Sequence, residues 1–185
     1  NQELCKRVRG LFNDFFYSIN IKSKLDYRIM NKLDYNFFFI KKNKSKQDTI
    51  IKKLSYDSSP KKLVFERIGN KFFLDKTYGN LIDLDFTDFF GRNLVFQDYM
   101  IIAKKIKIFI VRDIKQFDEN SKNLISRFIS FIDVLYENKN ILSISTNVGL
   151  DKIYCGKTNY EEFKRTISRL REMGSQEYIN ENLNK

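Results

Sequence analysis

The feature that most constrains the fold is a strand–helix–strand pattern between residues 106 and 146. The apolar run IKIFIVR (106–112) is typical of a buried strand, and ILSIST (141–146) is a second run of the same kind. Between them, an apolar stripe predicts a helix over residues 119–138, formed by Leu124, Phe128, Ile132 and Leu135. Strands joined by a long helix pair in parallel. The pattern therefore predicts an α/β protein.

The segment before this unit has a different period. Residues 63–86 contain three short runs rich in aromatic and β-branched residues, separated by Gly69-Asn70 and Gly79-Asn80. Such glycine pairs are typical of hairpin turns, so the segment predicts a β-meander. A helix is predicted after it, around Gln97–Lys104. Residues 41–62 are rich in lysine and predict a loop with a short helix near 47–54.

Helices are also predicted at both ends of the chain. The first has an apolar stripe formed by Leu4, Val8, Leu11, Phe15 and Ile19, and a short extended segment follows at 21–29. The second has a stripe formed by Phe163, Ile167 and Leu170. Gly174 is a good stop for that helix, and Ser175 is placed to cap a final one that carries Tyr178, Ile179 and Leu183.

The composition excludes several kinds of site. The 185 residues contain no histidine, so imidazole catalysis and histidine-ligated zinc are excluded. The two cysteines, Cys5 and Cys155, form no CxxC pair and fit a reducing compartment. The net charge of +11 favours nucleic acid, an anionic membrane surface or a nucleotide phosphate as partner. Because lysine is scattered over the whole chain, compositional bias is the simpler explanation.

Gly156-Lys157-Thr158 imitates the end of a phosphate-binding loop. Such a loop needs four residues between its first glycine and the Gly-Lys pair, whereas six residues separate Gly149 from Gly156. The bulky Ile153 and Tyr154 would also spoil a tight nest of backbone amides. We therefore interpret the segment as a turn with an exposed lysine.

Three aspartates are candidates for a metal site. Asp83 and Asp85 alternate on one strand, and we expect them to be the solvated face of a half-buried strand with Leu84 and Phe86 inside. Asp113 follows the strand at 106–112, where carboxylates line the crevice of an α/β sheet. Together the three could bind Mg²⁺ in a metal-dependent hydrolase, although no further acidic cluster completes the site.

The segment EFKRTISRLREMGSQEYI (162–179) resembles the closing signature of the ZapE family of AAA+ ATPases. The family pattern is approximately F-x-R-T-x-S-R-L-x-E-M-x-S-x-E-Y, and every fixed position matches. SRFISFIDVLYENKNILSIST is similar to the family's R-F-I-x-L-I-D-x-L-Y segment and the strand after it. LDKIYCG, FTDFF, Asp98-Tyr99, IFIVRDI and Asp26-Tyr27-Arg28 resemble further elements, so the likeness extends over roughly residues 20–180.

The resemblance implies a fold and a division of the chain. The fold would be the C-terminal portion of an AAA+ P-loop NTPase, with a small β-meander insertion and a C-terminal helical lid. Residues 1–62 would end the ATPase core and carry the Lys-rich loop, residues 63–90 would be the insertion, 91–148 the βαβ unit and 149–185 the lid. The family's phosphate-binding loop, Walker B strand and first sensor precede its D-Y-R element and do not occur here. We therefore expect that a segment preceding Asn1 is missing, and that this chain alone is inactive.

The resemblance also implies cofactors and roles. ATP and Mg²⁺ would be the cofactors, with the Mg²⁺ ligands outside this chain. Arg165 or Arg169 would be the lid arginine that contacts ATP, and Arg9 (or Arg7) would reach the ATP of a neighbouring subunit in a homo-oligomer. Arg28 and Asp113 are further candidates for nucleotide binding. On spacing alone, Arg165 and Arg169 are expected instead to pair with Glu161, Glu162 or Glu172.

The implied function is ATP-driven protein remodelling or cell division, with a protein client or a cell-division partner. The implied location is the bacterial cytoplasm, or alternatively the mitochondrial matrix or inner membrane. A second hypothesis is a non-catalytic basic module in which the Lys-rich loop contacts nucleic acid or an anionic membrane surface. Tyr56 is the only aromatic residue in that loop, so nucleic acid is the less favoured partner and a peripheral membrane contact stays open.

Overall fold

The computed structural model describes residues 39–41, 44–56, 58–67, 69–156 and 160–183. Several predictions lie outside these residues: the first helix, the extended segment at 21–29, and the roles of Arg9 and Arg28. Lys157 and Thr158 of the imitated phosphate loop also lie outside them.

The described residues form six strands and six α-helices. The strands are β1 (Phe39–Lys41), β2 (Lys61–Arg67), β3 (Asn70–Tyr78), β4 (Leu81–Asp85), β5 (Ile108–Ile114) and β6 (Ile141–Thr146). The helices are α1 (Lys44–Ser55), α2 (Phe86–Gly91), α3 (Phe96–Lys105), α4 (Lys122–Glu137), α5 (Tyr160–Met173) and α6 (Gln176–Leu183). Short 3₁₀ turns occupy Glu119–Ser121 and Leu150–Lys152.

The strands form one sheet in the order β1-β6-β5-β4-β3-β2. Strands β1, β6, β5 and β4 pair in parallel, which confirms the predicted parallel pairing of the two strands joined by α4. Strands β4, β3 and β2 pair in antiparallel fashion, as expected for a meander. Since β4 pairs with both β3 and β5, the meander continues the same sheet.

The two faces of the sheet differ in chemistry. One face lies under an aromatic cluster from α2, α3 and α4, in which the rings of Phe109 on β5 and Phe131 on α4 have centroids 5.7 Å apart. The other members of the cluster are Phe86, Phe89, Phe90, Tyr99 and Phe128. Side chains alternate along a strand, so the opposite face carries buried polar residues, namely Asp83, Ser143 and Ser145.

Two local elements differ from the predictions. Strand β5 begins two residues later than expected, because Ile106 still closes α3 by donating its N–H to Ile102, and it continues to Ile114. Helix α2 was not predicted. It begins because the Asp85 side chain accepts a hydrogen bond of 2.9 Å from the N–H of Asp88, which caps the first turn.

Candidate functional site

Helix α5 carries both arginines that the family resemblance singles out. One face of the helix is buried, through Phe163, Thr166, Ile167, Leu170 and Met173. The helix ends at Gly174, as predicted. The hydroxyl of Ser175 then accepts a hydrogen bond of 3.1 Å from the N–H of Tyr178 and caps α6, which confirms that prediction too.

The two arginines of α5 reach the same carboxylate on α4. Arg169 donates a hydrogen bond to Asp133, and a nitrogen of Arg165 lies 3.8 Å from the other oxygen of that carboxylate. Arg169 also lies 3.7 Å from Glu137 and stacks over the ring of Tyr136. The expected partners Glu161, Glu162 and Glu172 were therefore wrong, because the acidic group comes from the facing helix.

Tyr136 and Glu172 form a second link between the same helices. The Tyr136 hydroxyl donates a hydrogen bond of 2.8 Å to the Glu172 carboxylate. That hydrogen bond, with burial as the second cause, raises the pKa of Tyr136 above its ordinary value. We call Asp133, Tyr136, Arg169 and Glu172 the α4–α5 clasp. Sequence reasoning missed Asp133, although it lies in the SRFISFIDVLY segment that carries part of the family resemblance.

The arginines differ in how freely they could contact a ligand. The Arg165 side chain is 59% exposed, whereas that of Arg169 is 22% exposed. Arg165 therefore has one weak ion pair at the surface, while Arg169 is held by several groups. Neither arginine lines either of the two cavities described below.

A cleft of about 490 Å³ opens at the carboxyl ends of β4 and β5. It brings together the three aspartates singled out from the sequence, Asp83, Asp85 and Asp113. The remaining lining residues come from α1, β3 and β5: Asp48, Ile51, Lys52, Lys76, Tyr78 and Arg112. With four carboxylates and three cationic side chains, the cleft is not an anion nest of the kind that holds phosphate.

Arg112 organises the bottom of the cleft. Its Nε donates a hydrogen bond of 2.6 Å to Asp83, and its Nη2 lies 2.7 Å from Asp48. Burial alone would lower the pKa of Arg112, but the hydrogen bonds and charges of both aspartates outweigh it and raise that pKa. The Asp83 side chain is only 5% exposed. The expectation that Asp83 is solvated was therefore wrong, because Arg112 neutralises it inside the protein.

The other two aspartates are also engaged. Asp85 caps α2, as described above. Asp113 has a left-handed backbone (φ 58°) within an irregular part of β5, and its N–H donates a hydrogen bond of 3.0 Å to Ser145. Among the described residues, no group of three acidic or thiol side chains is arranged to hold a metal ion. The hypothesis of a metal-dependent hydrolase finds no complete site in this part of the chain.

The segment from Gly149 to Gly156 does not fit a phosphate cradle. Its backbone forms a 3₁₀ turn at Leu150–Lys152 and then a bridge between Tyr154 and Phe117. A Cβ at Gly156 would lie 2.5 Å from the Tyr154 hydroxyl. A larger residue at this position would therefore clash with the Tyr154 ring unless that ring moved. Tyr154, Phe163 and Arg171 help line a second groove of about 250 Å³ beside α5.

Comparisons with known proteins give one family model and several curated relatives. The model of the AFG1-like ATPase family matches residues 8–182. "Uncharacterized protein C115.02c" of Schizosaccharomyces pombe is 37% identical over 89 residues, which are 48% of this chain and 20% of that protein. "Cell division protein ZapE" of Escherichia coli K12 is 33% identical over 82 residues, which are 44% of this chain and 22% of that protein, and the O157:H7 protein matches equally.

The aligned region thus spans about a fifth of the length of these curated relatives. No solved structure matches the chain significantly. Within the described residues, none of the helices combines the length and the apolar character needed to cross a lipid bilayer.

Proposed function

This chain belongs to the AFG1-like ATPase family, and we propose that it supplies the C-terminal, lid-bearing region of an ATP-hydrolysing AAA+ protein of the ZapE type. The family match over residues 8–182 supports an ATPase, and the short aligned share of each relative supports a larger active protein. In that protein, the phosphate cradle and the Mg²⁺ ligands come from outside the described residues.

The main support for the proposal is that the two lid arginines differ in the exposure of their side chains and in the strength of their ion pairs. A nucleotide-contacting arginine has to exchange its resting partner for a phosphate oxygen, which favours an exposed guanidinium with a weak ion pair. Arg165, at 59% exposure and 3.8 Å from Asp133, meets this condition. Arg169 contacts Asp133, Tyr136 and Glu137 together, so we assign it to anchoring the lid.

The remaining assignments complete the proposal. Arg9, with Arg7 as the alternative, reaches the nucleotide of a neighbouring subunit in a homo-oligomer, and Arg28 and Asp113 lie near the nucleotide. The work done by hydrolysis is protein remodelling or cell division, in keeping with the name of the Escherichia coli relative. The bacterial cytoplasm is the proposed location.

The test compares Arg165→Ala and Arg169→Ala in the longest natural protein that contains this chain. Arg165→Ala is expected to lower kcat for ATP by roughly 100-fold while the melting temperature stays unchanged. Arg169→Ala is expected to lower the free energy of unfolding by about 1 kcal/mol.

Arg171→Ala is the matched control for both substitutions. Arg171 lies on the same helix, is 60% exposed and pairs with Asp151, so neither turnover nor stability should change appreciably. If Arg165→Ala turns over ATP at the rate of the unsubstituted protein, the assignment of Arg165 is wrong.

A further inference from the structure

Strand β5 contains an extra residue near its carboxyl end. Its pairing with β6 changes register between Val111 and Ile114. Arg112 and Asp113 consequently both lie opposite one residue of β6, Ser145, which is the arrangement of a β-bulge. Bulges interrupt the regular alternation of side chains along a strand and turn one of them in a new direction.

The bulge places two consecutive residues at one cleft. In a regular strand, successive side chains point to opposite faces of the sheet. Arg112 and Asp113 nevertheless both line the cleft of about 490 Å³ at the carboxyl ends of β4 and β5. The extra residue therefore redirects Asp113 from the aromatic face of the sheet to the cleft.

The backbone of Asp113 is unusual for its place in the fold. Three of the described non-glycine residues have a positive φ, namely Tyr56, Asp113 and Lys139. Tyr56 and Lys139 follow the ends of α1 and α4, where left-handed residues commonly terminate helices. Asp113 lies within a strand, so helix termination does not explain its φ of 58°. Left-handed residues of this kind are uncommon and cluster at functional sites.

Two buried side chains hold Asp113 in this conformation. The N–H of Asp113 donates a hydrogen bond of 3.0 Å to the Ser145 hydroxyl, which in turn donates one of 3.1 Å to the side-chain carbonyl of Gln47 on α1. Ser145 and Gln47 are each 1% exposed. The amide nitrogen of Gln47 has no hydrogen-bond partner among the described residues. Because burying an unpartnered amide lowers stability, a contribution to stability does not account for Gln47.

We propose that Asp113 binds the ribose hydroxyls of the nucleotide, and that Ser145 and Gln47 are positioning residues for it. This inference rests on the proposed function, which makes the ligand a nucleotide. An ionised carboxylate accepts hydrogen bonds and repels phosphate, so it suits the sugar rather than the phosphates. Two neighbouring hydroxyls match the two oxygens of one carboxylate. Acidic residues bind ribose in the same way beside the parallel sheets of dinucleotide-binding folds.

The experiment measures binding of ADP, 2′-deoxy-ADP and 3′-deoxy-ADP to the longest natural protein that contains this chain, by isothermal titration calorimetry. The unsubstituted protein should bind ADP roughly 10-fold or more tightly than at least one analogue, because a hydrogen bond to a charged group is lost. Asp113→Gly keeps the left-handed backbone without strain and should abolish this preference. Ser145→Ala should reduce the preference, and Gln47→Met should reduce it less, since Gln47 acts through Ser145.

Ser143→Ala and Lys139→Gly are the controls. Ser143 is a buried serine two positions earlier on β6, and Lys139 is a left-handed residue outside the cleft, so neither substitution should change the preference. Circular dichroism checks that each variant is folded. Equal affinity for ADP and both analogues, or a preference that survives Asp113→Gly or is unchanged in Ser145→Ala, would overturn this proposal alone if the unsubstituted protein hydrolyses ATP. Absence of both ADP binding and ATP hydrolysis would overturn the proposed function, and this inference with it.

Discussion

Tyr136 donates a hydrogen bond to Glu172 across 2.8 Å and thereby ties α4 to α5. The same ring stacks on Tyr178 of α6 with centroids 6.1 Å apart, so one residue joins three helices. Most residues that match the family signature are similarly engaged in packing: Thr166, Leu170 and Met173 are buried, and Ser175 caps α6. The signature residues therefore serve largely to attach α5 and α6 to the rest of the described structure.

The first prediction concerns the charged half of the clasp. Asp133→Ala and Arg169→Ala are each expected to lower the free energy of unfolding, and the double variant should lose less than the sum of the two. The coupling free energy should be about 1 kcal/mol, because both side chains are partly shielded from water. Urea unfolding of the four proteins measures it. The more exposed pair Arg171–Asp151 serves for comparison and should show a smaller coupling.

The second prediction concerns the buried charge in the cleft. Arg112→Met leaves Asp83 buried without its partner and is expected to lower the free energy of unfolding by about 3–5 kcal/mol. Adding Asp83→Asn should restore a large part of that loss, since the uncompensated charge is then gone. Asp48→Asn removes the exposed partner and should have a much smaller effect. A loss in Arg112→Met that Asp83→Asn does not reduce would contradict this account.

The third prediction concerns a buried hydroxyl without a hydrogen-bond partner. Tyr99 is 1% exposed, and its hydroxyl has no partner in the described structure. Tyr99→Phe should therefore leave the free energy of unfolding unchanged or raise it by up to about 1 kcal/mol. Tyr178→Phe is the control, because its hydroxyl donates to the carbonyl of Asn140 at 3.4 Å and its loss should destabilise. Thermal unfolding of both variants decides the matter.

The fourth prediction is a loss of stability at alkaline pH. Burial raises the pKa of Tyr99 from 10.0 to about 12, and burial also raises the pKa of Tyr178. The folded protein then holds phenolic protons that the unfolded chain releases, so stability is complete below pH 10.0 and falls as pH rises towards about 12. Urea unfolding across this range should show the decline. Tyr99→Phe should make the decline shallower, and an unchanged slope would argue against a contribution from Tyr99.

The fifth prediction concerns the chain by itself. Neither the sequence nor the described structure contains a phosphate cradle, so the isolated chain should release phosphate from ATP no faster than a buffer control. A colorimetric phosphate assay with the purified chain measures this. Hydrolysis that persists after repeated purification, and that disappears when a residue of this chain is substituted, would show that the chain does contain a phosphate cradle.

The sequence was sufficient to predict elements whose signal is local. Strand β6 lies where it was predicted, because ILSIST is apolar or small at every position and is bounded by polar residues. The cap at Ser175 was predictable for the same reason, since a cap depends on neighbouring residues. The hairpin turns at Gly69 and Gly79 have the left-handed backbone that glycine adopts without strain.

The features that sequence reasoning missed depend on residues far apart in the chain. Asp83 was expected in solvent because a carboxylate in a strand is usually solvated, yet Arg112 neutralises it from 29 positions away. The arginines of α5 were paired with the wrong acids because Asp133, on another helix, gives no signal in local spacing. The relation of Arg9 and Arg28 to these residues stays a prediction, since both lie outside the described structure.

The placement of α4 has a mechanical consequence. On one side α4 is fastened to α5 through Asp133 and Tyr136, and on the other its Phe131 ring rests on Phe109 of β5. A movement of α5 away from α4 must break the ion pair of Asp133 and the hydrogen bond of Tyr136. A movement of α5 and α4 together must instead displace the Phe131 ring from Phe109 in the packed interior. We therefore expect a displacement of the last helices to reach β5, the strand that ends at the cleft, through the contacts of α4.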